Sequence, residues 1–173
     1  MAAIRSPARS TARAPARPAA RRAGPSLRLD AQVCFALYST SLAMTKRYRP
    51  VLDALGLTYP QYLVMLALWE EDGLGVSALG ERLFLDSGTL TPLLKRLEAA
   101  QLLQRQRAPD DERRVVVGLT PAGRALRRRA LGVPAMLAGA TGCALDELAA
   151  LTRALQGLRD ALAAPDSPAP AAA

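Results

Sequence analysis

The chain has 173 residues, enough for one domain with a substantial core, and a formal net charge of +8. It has no histidine and two cysteines, which excludes Ser-His-Asp and Cys-His catalysis, histidine-containing metal sites and a zinc site built from cysteine alone. No apolar run approaches the ~20 residues that a membrane span needs. Two cysteines without a secretory signal are typical of a reducing compartment, so we expect a cytoplasmic protein with no metal or cofactor.

The first segment, residues 1–25, consists mainly of Ala, Arg, Pro and Ser and cannot bury enough apolar surface to fold. Residues 1–29 hold seven Arg and no acidic residue, so the rest of the chain carries 8 − 7 = +1. Any DNA-binding surface on the folded part must therefore be local. The segment is either a disordered arm that adds weak DNA affinity or the result of a start site placed too early. Its four prolines argue against an amphipathic transit peptide.

A long first helix is predicted from near Ser26 to about Arg49, where Pro50 stops it, and a short helix then runs to Leu55. The next helix opens at a capping box, Thr58-x-x-Gln61, and runs through Trp69. It is apolar on most faces, so we expect it at the core. Residues 76–83 follow as the first helix of a helix-turn-helix.

Residues 80–120 predict the rest of that motif. Asp86-Ser87-Gly88 supplies capping oxygens and a glycine for the turn. The second helix then shows helical spacing of its apolar residues, Leu90, Leu93, Leu94 and Leu97, while Lys95 and Arg96 project elsewhere. Two short apolar runs, 102–103 and 115–117, predict strands on either side of a charged loop, 107–114. The pattern predicts a mainly α fold with a small β-wing, about 102–119: a winged helix-turn-helix, which places its second helix in a major groove of double-stranded DNA.

The DNA-contacting residues are predicted from their place in this motif. Base contacts are assigned to the first turns of the second helix, at Ser87, Thr89 and Thr91. Basic residues there and in the wing could line a solvated surface, but phosphate contact is favoured. Arg113 could pair with Asp111 to stiffen the wing or insert into a narrow minor groove. The predicted wing and phosphate contacts are Lys95, Arg96, Arg105, Arg107, Asp111, Arg113 and Arg114.

The C-terminal part predicts two more helices. Thr120-Pro121 begins one that runs to about Ala140 with a kink at Pro134. After a glycine-containing break, a leucine stripe continues to Ala163, and residues 164–173 form a disordered tail. The helices at 26–49 and 121–163 are more apolar than a small winged domain can cover. We therefore expect a homodimer, with two recognition helices about one DNA turn apart on a near-palindromic operator.

Five stretches of the sequence together resemble one family of proteins. The wing stretch Asp111-Glu112-Arg113 with Leu119-Thr120-x-x-Gly123 resembles that of the MarR family of bacterial regulators. The runs 29–38, 44–50, 58–62 and 85–92 are similar to the organic-hydroperoxide-sensing OhrR branch. The resemblance covers residues 29–162 and implies that residues 26–163 form one MarR-type domain.

The resemblance implies a dimeric repressor that leaves its operator when an organic hydroperoxide oxidises Cys34. It further implies that Tyr48 and Tyr59 of the partner subunit hydrogen-bond the Cys34 sulfur, with Tyr38 as a third tyrosine of the region. Cys143 stands where the two-Cys subgroup has a resolving cysteine for an intersubunit disulfide. Members without that residue use a small thiol. Because only the thiolate reacts and a free cysteine is a few per cent ionised at neutral pH, nearby donors must stabilise Cys34.

Other interpretations remain open. Either cysteine could be an inert or merely exposed residue. A MarR-type repressor released by a small aromatic ligand in the dimer cleft would leave the cysteines incidental. A two-Cys thiol peroxidase would consume peroxide continuously, but the helix-turn-helix and wing argue against an enzyme.

Overall fold

A computed structural model of the protein describes residues 27–108 and 111–164, and within this range the side chains of residues 108 and 111–113 are not described. The chain divides after Tyr38 into two units. The described part of the first unit contains a 3₁₀ turn, Leu29–Ala31, and the start of helix α1, Val33–Asp53, which ends in the second unit. The predicted arm, residues 1–25, and the predicted tail beyond Ala164 lie outside the described residues.

The second unit has the element order of a winged helix-turn-helix, which confirms the predicted fold class. Helix α2 leads into a short strand and the helix-turn-helix pair, the wing strands follow, and three helices complete the chain. The elements after α1 are α2 (Tyr59–Glu70), β1 (Leu74–Gly75), α3 (Val76–Leu83), α4 (Ser87–Ala99), β2 (Leu103–Ala108), β3 (Asp111–Leu119), α5 (Pro121–Ala130), α6 (Val133–Thr141) and α7 (Leu145–Ala163).

Pro50 does not end the first helix, so that prediction was wrong. It lies inside α1, and the predicted short helix to Leu55 is the last turn of the same helix. A proline this close to a helix end removes one backbone hydrogen bond while the packing of the turn persists. The helix ends instead at Asp53, and the turn after it closes at Gly56, whose φ is +70°, with the Leu57 N–H donating to the Leu52 carbonyl at 2.9 Å. The predicted start near Ser26 was also too early, since α1 begins at Val33.

Helix α2 lies at the centre of the core, as predicted. Its N-terminus is held by the Gln61 side chain, whose Oε1 accepts the Thr58 N–H at 2.8 Å. Apolar residues on most of its faces are buried, because α3, α4 and α5 all pack against it. The largest fully buried side chains of the core include Tyr62, Met65, Leu68, Leu79, Leu90, Leu94, Leu97 and Leu103.

The wing occupies the predicted part of the chain, but its strands are longer than predicted. The three strands form an antiparallel sheet in the order β1-β3-β2, so the short strand before α3 completes a sheet that the sequence indicated as two-stranded. The charged stretch 107–114 was predicted as a loop, which was wrong for its described residues: Arg107 pairs with Val115 and Ala108 with Asp111. Backbone pairing holds these residues, and the side chains of Arg107 and Arg114 are exposed, so charge at these two positions is compatible with a strand.

The first of the C-terminal helices, α5, begins where its cap predicted. The Thr120 Oγ1 accepts the Gly123 N–H at 3.1 Å, and Pro121 follows in the first turn of α5. Pro134 does not kink one long helix, contrary to prediction. Leu131 and Gly132 separate α5 from α6, and Pro134 stands in the first turn of α6, where its missing N–H has no cost. Helix α7 contains no buried residue.

Candidate nucleic-acid interface and redox site

The turn before the recognition helix is built by Phe84 and Asp86. Phe84 adopts a left-handed backbone with φ +55° and ends α3, a position where the sequence showed no glycine. Gly88, predicted as a turn residue, instead lies in the first turn of α4. Asp86 caps α4 as predicted: its Oδ1 accepts the Thr89 N–H at 2.8 Å, and its Oδ2 accepts the Thr89 hydroxyl at 2.9 Å. These hydrogen bonds hold the pKa of Asp86 below its usual value.

Two of the three residues predicted to contact bases use their hydroxyl protons inside the protein. The Thr89 hydroxyl donates to Asp86, and the Thr91 hydroxyl donates to the Ser87 carbonyl at 2.7 Å. Each threonine therefore presents its oxygen lone pairs and methyl group outward rather than a hydroxyl donor. Ser87 and Thr89 are exposed at the start of α4, and Thr91 is half-buried.

The recognition helix separates its apolar and basic residues. Its four leucines are buried against the core, as predicted, and Lys95 and Arg96 are exposed. These two cations stand on the helix that a winged fold presents to DNA, and their phosphate contact stays a prediction.

Arg105 pairs with Glu98 within the protein, and its predicted phosphate contact stays a prediction. Its Nε donates to the Glu98 Oε2 at 3.0 Å, and its backbone N–H donates to the Oε1 at 3.1 Å. The guanidinium beside Glu98 holds the pKa of that carboxyl below its usual value. The pair fastens the wing strand β2 to the end of α4, a contact that neither residue's sequence neighbourhood indicated.

One further wing cation, Arg114, borders a groove beside the recognition helix. Arg107 and Arg114 are exposed, and Arg114 lines a groove of about 610 Å³ with Thr91 and Leu94. The backbones of residues 111–113 lie in β3. The side chains of Asp111 and Arg113 lie outside the described residues, so their predicted pairing or minor-groove insertion stays a prediction.

A structural hub that sequence reasoning missed fixes the wing to the helices. Asp72 accepts the Leu119 N–H at 2.7 Å and the Arg124 guanidinium at 2.5 Å. The buried Trp69 Nε1 donates to the Gly123 carbonyl at 2.9 Å. A Cβ at Gly123 would lie 2.0 Å from the Leu102 carbonyl oxygen, so the glycine permits this close approach. The Thr120-x-x-Gly123 spacing within the wing signature was the available signal.

The two cysteines are free and exposed. Cys34 is the second residue of α1, in the first unit. Cys143 lies between α6 and α7, where its N–H donates to the Thr141 Oγ1 at 3.3 Å and its thiol to the Thr141 carbonyl at 3.7 Å. Gly142, immediately before it, ends α6 with φ +67°. Tyr38 is also exposed in the first unit.

The structure brings two of the predicted sensor tyrosines together. The Tyr48 and Tyr59 rings lie 4.8 Å apart between centroids, and Tyr62, which was not predicted, lies 6.0 Å from Tyr48. Burial, strengthened by repulsion from an ionised Tyr59 or Tyr62, raises the pKa of Tyr48 to about 12. Burial also raises the pKa of Tyr59. Both phenols therefore remain protonated donors at neutral pH.

An open cleft of about 550 Å³ adjoins this pair, entirely within the second unit. Its walls come from the last turns of α1 and the start of α2. Apolar side chains, three charged side chains and a tyrosine line it, among them Leu42, Lys46, Arg49, Leu52, Asp53 and Tyr59.

Within residues 27–108 and 111–164, no cluster of His, Cys, Asp or Glu has the composition and proximity of a metal site. In the same part of the chain, no helix combines the length and apolarity needed to traverse a bilayer.

Comparison with known proteins gives a consistent relationship. The HTH-type transcriptional regulator TtmR of Methylorubrum extorquens is 52% identical over 134 residues, which are 78% of this chain and 69% of TtmR. The organic hydroperoxide resistance transcriptional regulator of Bacillus subtilis is 46% identical over 136 residues, 79% of this chain and 92% of the relative. A family model described as transcriptional regulator SarA/Rot matches residues 46–129.

Solved structures of AbfR of Staphylococcus epidermidis are also similar. AbfR in its reduced form bound to DNA gives a TM-score of 0.63 at 32% identity, covering 79% of this chain and 96% of AbfR. Disulfide-formed AbfR gives a TM-score of 0.53 at 35% identity, and the match covers 75% of this chain and 91% of AbfR. With the winged fold and the exposed basic recognition helix, these relationships show a DNA-binding transcriptional regulator. The chain belongs to the OhrR branch of the MarR family.

Proposed function

We propose that this protein is a dimeric repressor that senses organic hydroperoxides through Cys34 and then releases a near-palindromic operator. The observation that carries the proposal is the protonated pair Tyr48 and Tyr59, which supplies two phenol donors. Among the described residues neither hydroxyl has a hydrogen-bond partner. In the proposed dimer these hydroxyls donate to the Cys34 sulfur of the other subunit and stabilise its thiolate.

The proposed oxidation balances without an enzyme or cofactor. The Cys34 thiolate attacks the terminal oxygen of the hydroperoxide and breaks the O–O bond. The alkoxide leaves and takes up a proton, so the peroxide is reduced to an alcohol and Cys34 is oxidised to a sulfenic acid. The Cys143 thiolate of the other subunit then attacks the sulfenic sulfur and forms a disulfide, and the hydroxide that leaves takes up a proton from solvent to give water.

Disulfide formation supplies the switch in this proposal. A disulfide requires the two Cα atoms to come within about 7 Å. Cys143 lies two residues before α7, so in this proposal forming the bond displaces the start of that helix. A change in the dimer helices respaces the two recognition helices, which fit the operator in one spacing only.

The experiment measures operator affinity before and after oxidation. A duplex selected from a random pool by the reduced protein is the probe, and one equivalent of cumene hydroperoxide per subunit is the oxidant. We expect wild type to release DNA, Cys34→Ser to stay bound, and Cys143→Ser to release it only with an added small thiol. Wild type that stays bound after oxidation contradicts the proposal.

The tyrosine contribution is tested by the rate of Cys34 oxidation. Tyr48→Phe retains the ring but removes the donor, and we expect the rate to fall by about tenfold, the effect of one hydrogen bond to a charged group. Tyr62→Phe is the matched control, since Tyr62 belongs to the same cluster but has no proposed role. Equal rates in the two variants would remove the tyrosines from the mechanism.

The cleft beside Tyr59 favours a second candidate, a repressor released by a small aromatic ligand. This function does not require the cysteines, so Cys34→Ser would keep a ligand response and lose a peroxide response. Consumption of more than one peroxide per subunit in the presence of a thiol reductant would instead indicate a peroxidase.

A further inference from the structure

Helix α7 reaches the helix-turn-helix through a cation–π contact. The Arg159 Cζ lies 4.6 Å from the centroid of the Phe84 ring. Arg159 stands on α7, whose residues are all at least partly exposed, and Phe84 stands in the turn between α3 and α4. The contact therefore connects the terminal helix to the element that sets the position of the recognition helix.

The Phe84 position is unusual in two ways. Its backbone is left-handed, a conformation that glycine or asparagine adopts more easily than a bulky aromatic residue. Its ring is 64% exposed, so it does not contribute to the core. Neither backbone preference nor core packing accounts for an aromatic residue at position 84. Its contact with the Arg159 guanidinium does account for it.

The geometry around Phe84 explains how the contact acts on α4. The Leu85 N–H donates to the Gly80 carbonyl at 2.9 Å, which fixes the turn to α3. Asp86, the cap of α4, follows two residues after Phe84. A force on the Phe84 ring is therefore applied next to the first turn of the recognition helix.

The other end of α7 carries the candidate resolving cysteine. Cys143 lies two residues before the first residue of α7, and Arg159 lies 14 residues after that first residue, which is roughly 21 Å along a helix. Arg159 is also held by Asp160, whose Oδ1 accepts its Nε at 3.0 Å. A rigid helix thus connects Cys143 with a guanidinium whose orientation is defined.

We infer that Arg159 is a positioning residue: by stacking on Phe84 it holds the helix-turn-helix in its DNA-binding position and transmits movement of α7 to the recognition helix. The transmitting role rests on the proposed function, because oxidation at Cys143 supplies the movement of α7. The role of holding the helix-turn-helix rests on the Arg159–Phe84 contact alone.

The test is a double-mutant cycle on operator affinity. Wild type, Arg159→Ala, Phe84→Leu and the double variant are compared in the reduced state, with the pool-selected duplex as probe. An exposed cation–π pair supports a weakening of about two- to fivefold in Kd, and we expect the second substitution to add nothing to the first. Arg159→Lys, which keeps a cation, should restore most of the affinity. Additive effects would overturn the inference.

Oxidation distinguishes this inference from the proposed function. After one equivalent of cumene hydroperoxide, Arg159→Ala should form the Cys34–Cys143 disulfide as fast as wild type but show a smaller ratio of oxidised to reduced Kd. An unchanged ratio with normal disulfide formation would overturn the transmission role alone. If wild type forms no disulfide and stays bound, the proposed function and the transmission role fail together, while the reduced-state cycle still decides whether Arg159 positions the turn. Unfolding midpoints of all variants should match that of wild type.

Discussion

Helices α4 and α7 carry leucines at the same helical spacing but have opposite surroundings. In α4 the four leucines are between 0% and 9% exposed, because α2, α3 and β2 pack over them. In α7, Leu151, Leu155, Leu158 and Leu162 are between 36% and 77% exposed. Equal periodicity thus identifies an apolar face in both helices, while only the fold shows which face has a cover within the same chain.

The difference indicates that the leucines of α4 stabilise the fold of one subunit, whereas those of α7 stabilise the assembly of two. Buried leucines in α4 hold the recognition helix on its own domain, so its position is defined without a partner. A continuous exposed stripe on α7 is the kind of surface that a second subunit covers. We therefore expect substitutions in α4 to change the stability of the fold and those in α7 to change assembly.

The largest effect is expected from truncating matched leucines. Leu97→Ala removes a fully buried side chain and should lower the free energy of unfolding by about 2–5 kcal/mol. Leu162→Ala, at a site 77% exposed, should change it by less than about 0.5 kcal/mol. Urea unfolding at a protein concentration low enough for the monomer to predominate measures both, so that a second subunit does not contribute. Similar losses would mean that α7 is part of the same core.

A charge on the α7 stripe should break the dimer while each winged domain stays folded. We expect Leu151→Asp to dissociate the protein and to weaken operator binding by about 100-fold, because two linked half-site contacts become one. Ala149→Asp, on the opposite face of the same helix, is the matched control and should leave both properties unchanged. Sedimentation velocity and operator titration report the outcome, and a monomeric wild type would contradict the expectation.

A smaller effect is expected at the junction between wing and α5. The Thr120 hydroxyl accepts the Gly123 N–H and donates to the Gln101 carbonyl at 2.6 Å. Thr120→Ala should lower the free energy of unfolding by about 1 kcal/mol. Thr120→Ser keeps the hydroxyl and should retain most of the stability. Equal losses in both variants would show that the methyl group, not the cap, is what matters.

The smallest effect is a pH dependence from Glu98. Its pKa is lowered in the folded state by the Arg105 hydrogen bond, so its stabilising effect is present above the unfolded value of about 4.3 and is lost as the pH falls through the lowered folded value. Glu98→Gln should therefore be less stable than wild type at pH 7, and the difference should narrow in acid. Urea midpoints between pH 7 and pH 3 measure it, with exposed Glu81→Gln as the control. A difference that does not vary with pH would indicate a steric cause.

Much of the winged domain was predictable because its signals are local. The Asp86 and Thr120 caps, the buried face of α4 and the central place of α2 follow from side-chain chemistry within a few residues. The Arg105–Glu98 pair, the Asp72 hub and the Tyr48–Tyr62 proximity were not predictable, since each joins residues that the fold alone brings together. Pro50 and Pro134 show the same limit: a proline marks a helix boundary, but packing decides on which side of the boundary it lies.

By itself, the sequence determined the order of the elements, the apolar face of each helix, the basic recognition helix and the family resemblance that singles out Cys34. These are properties of short stretches, where spacing and side-chain type are sufficient. The tertiary structure decided that Arg105 is tied to Glu98, that the charged wing residues belong to strands, and that Phe84 meets Arg159. Such contacts depend on the packing of distant segments, which local chemistry permits but does not specify.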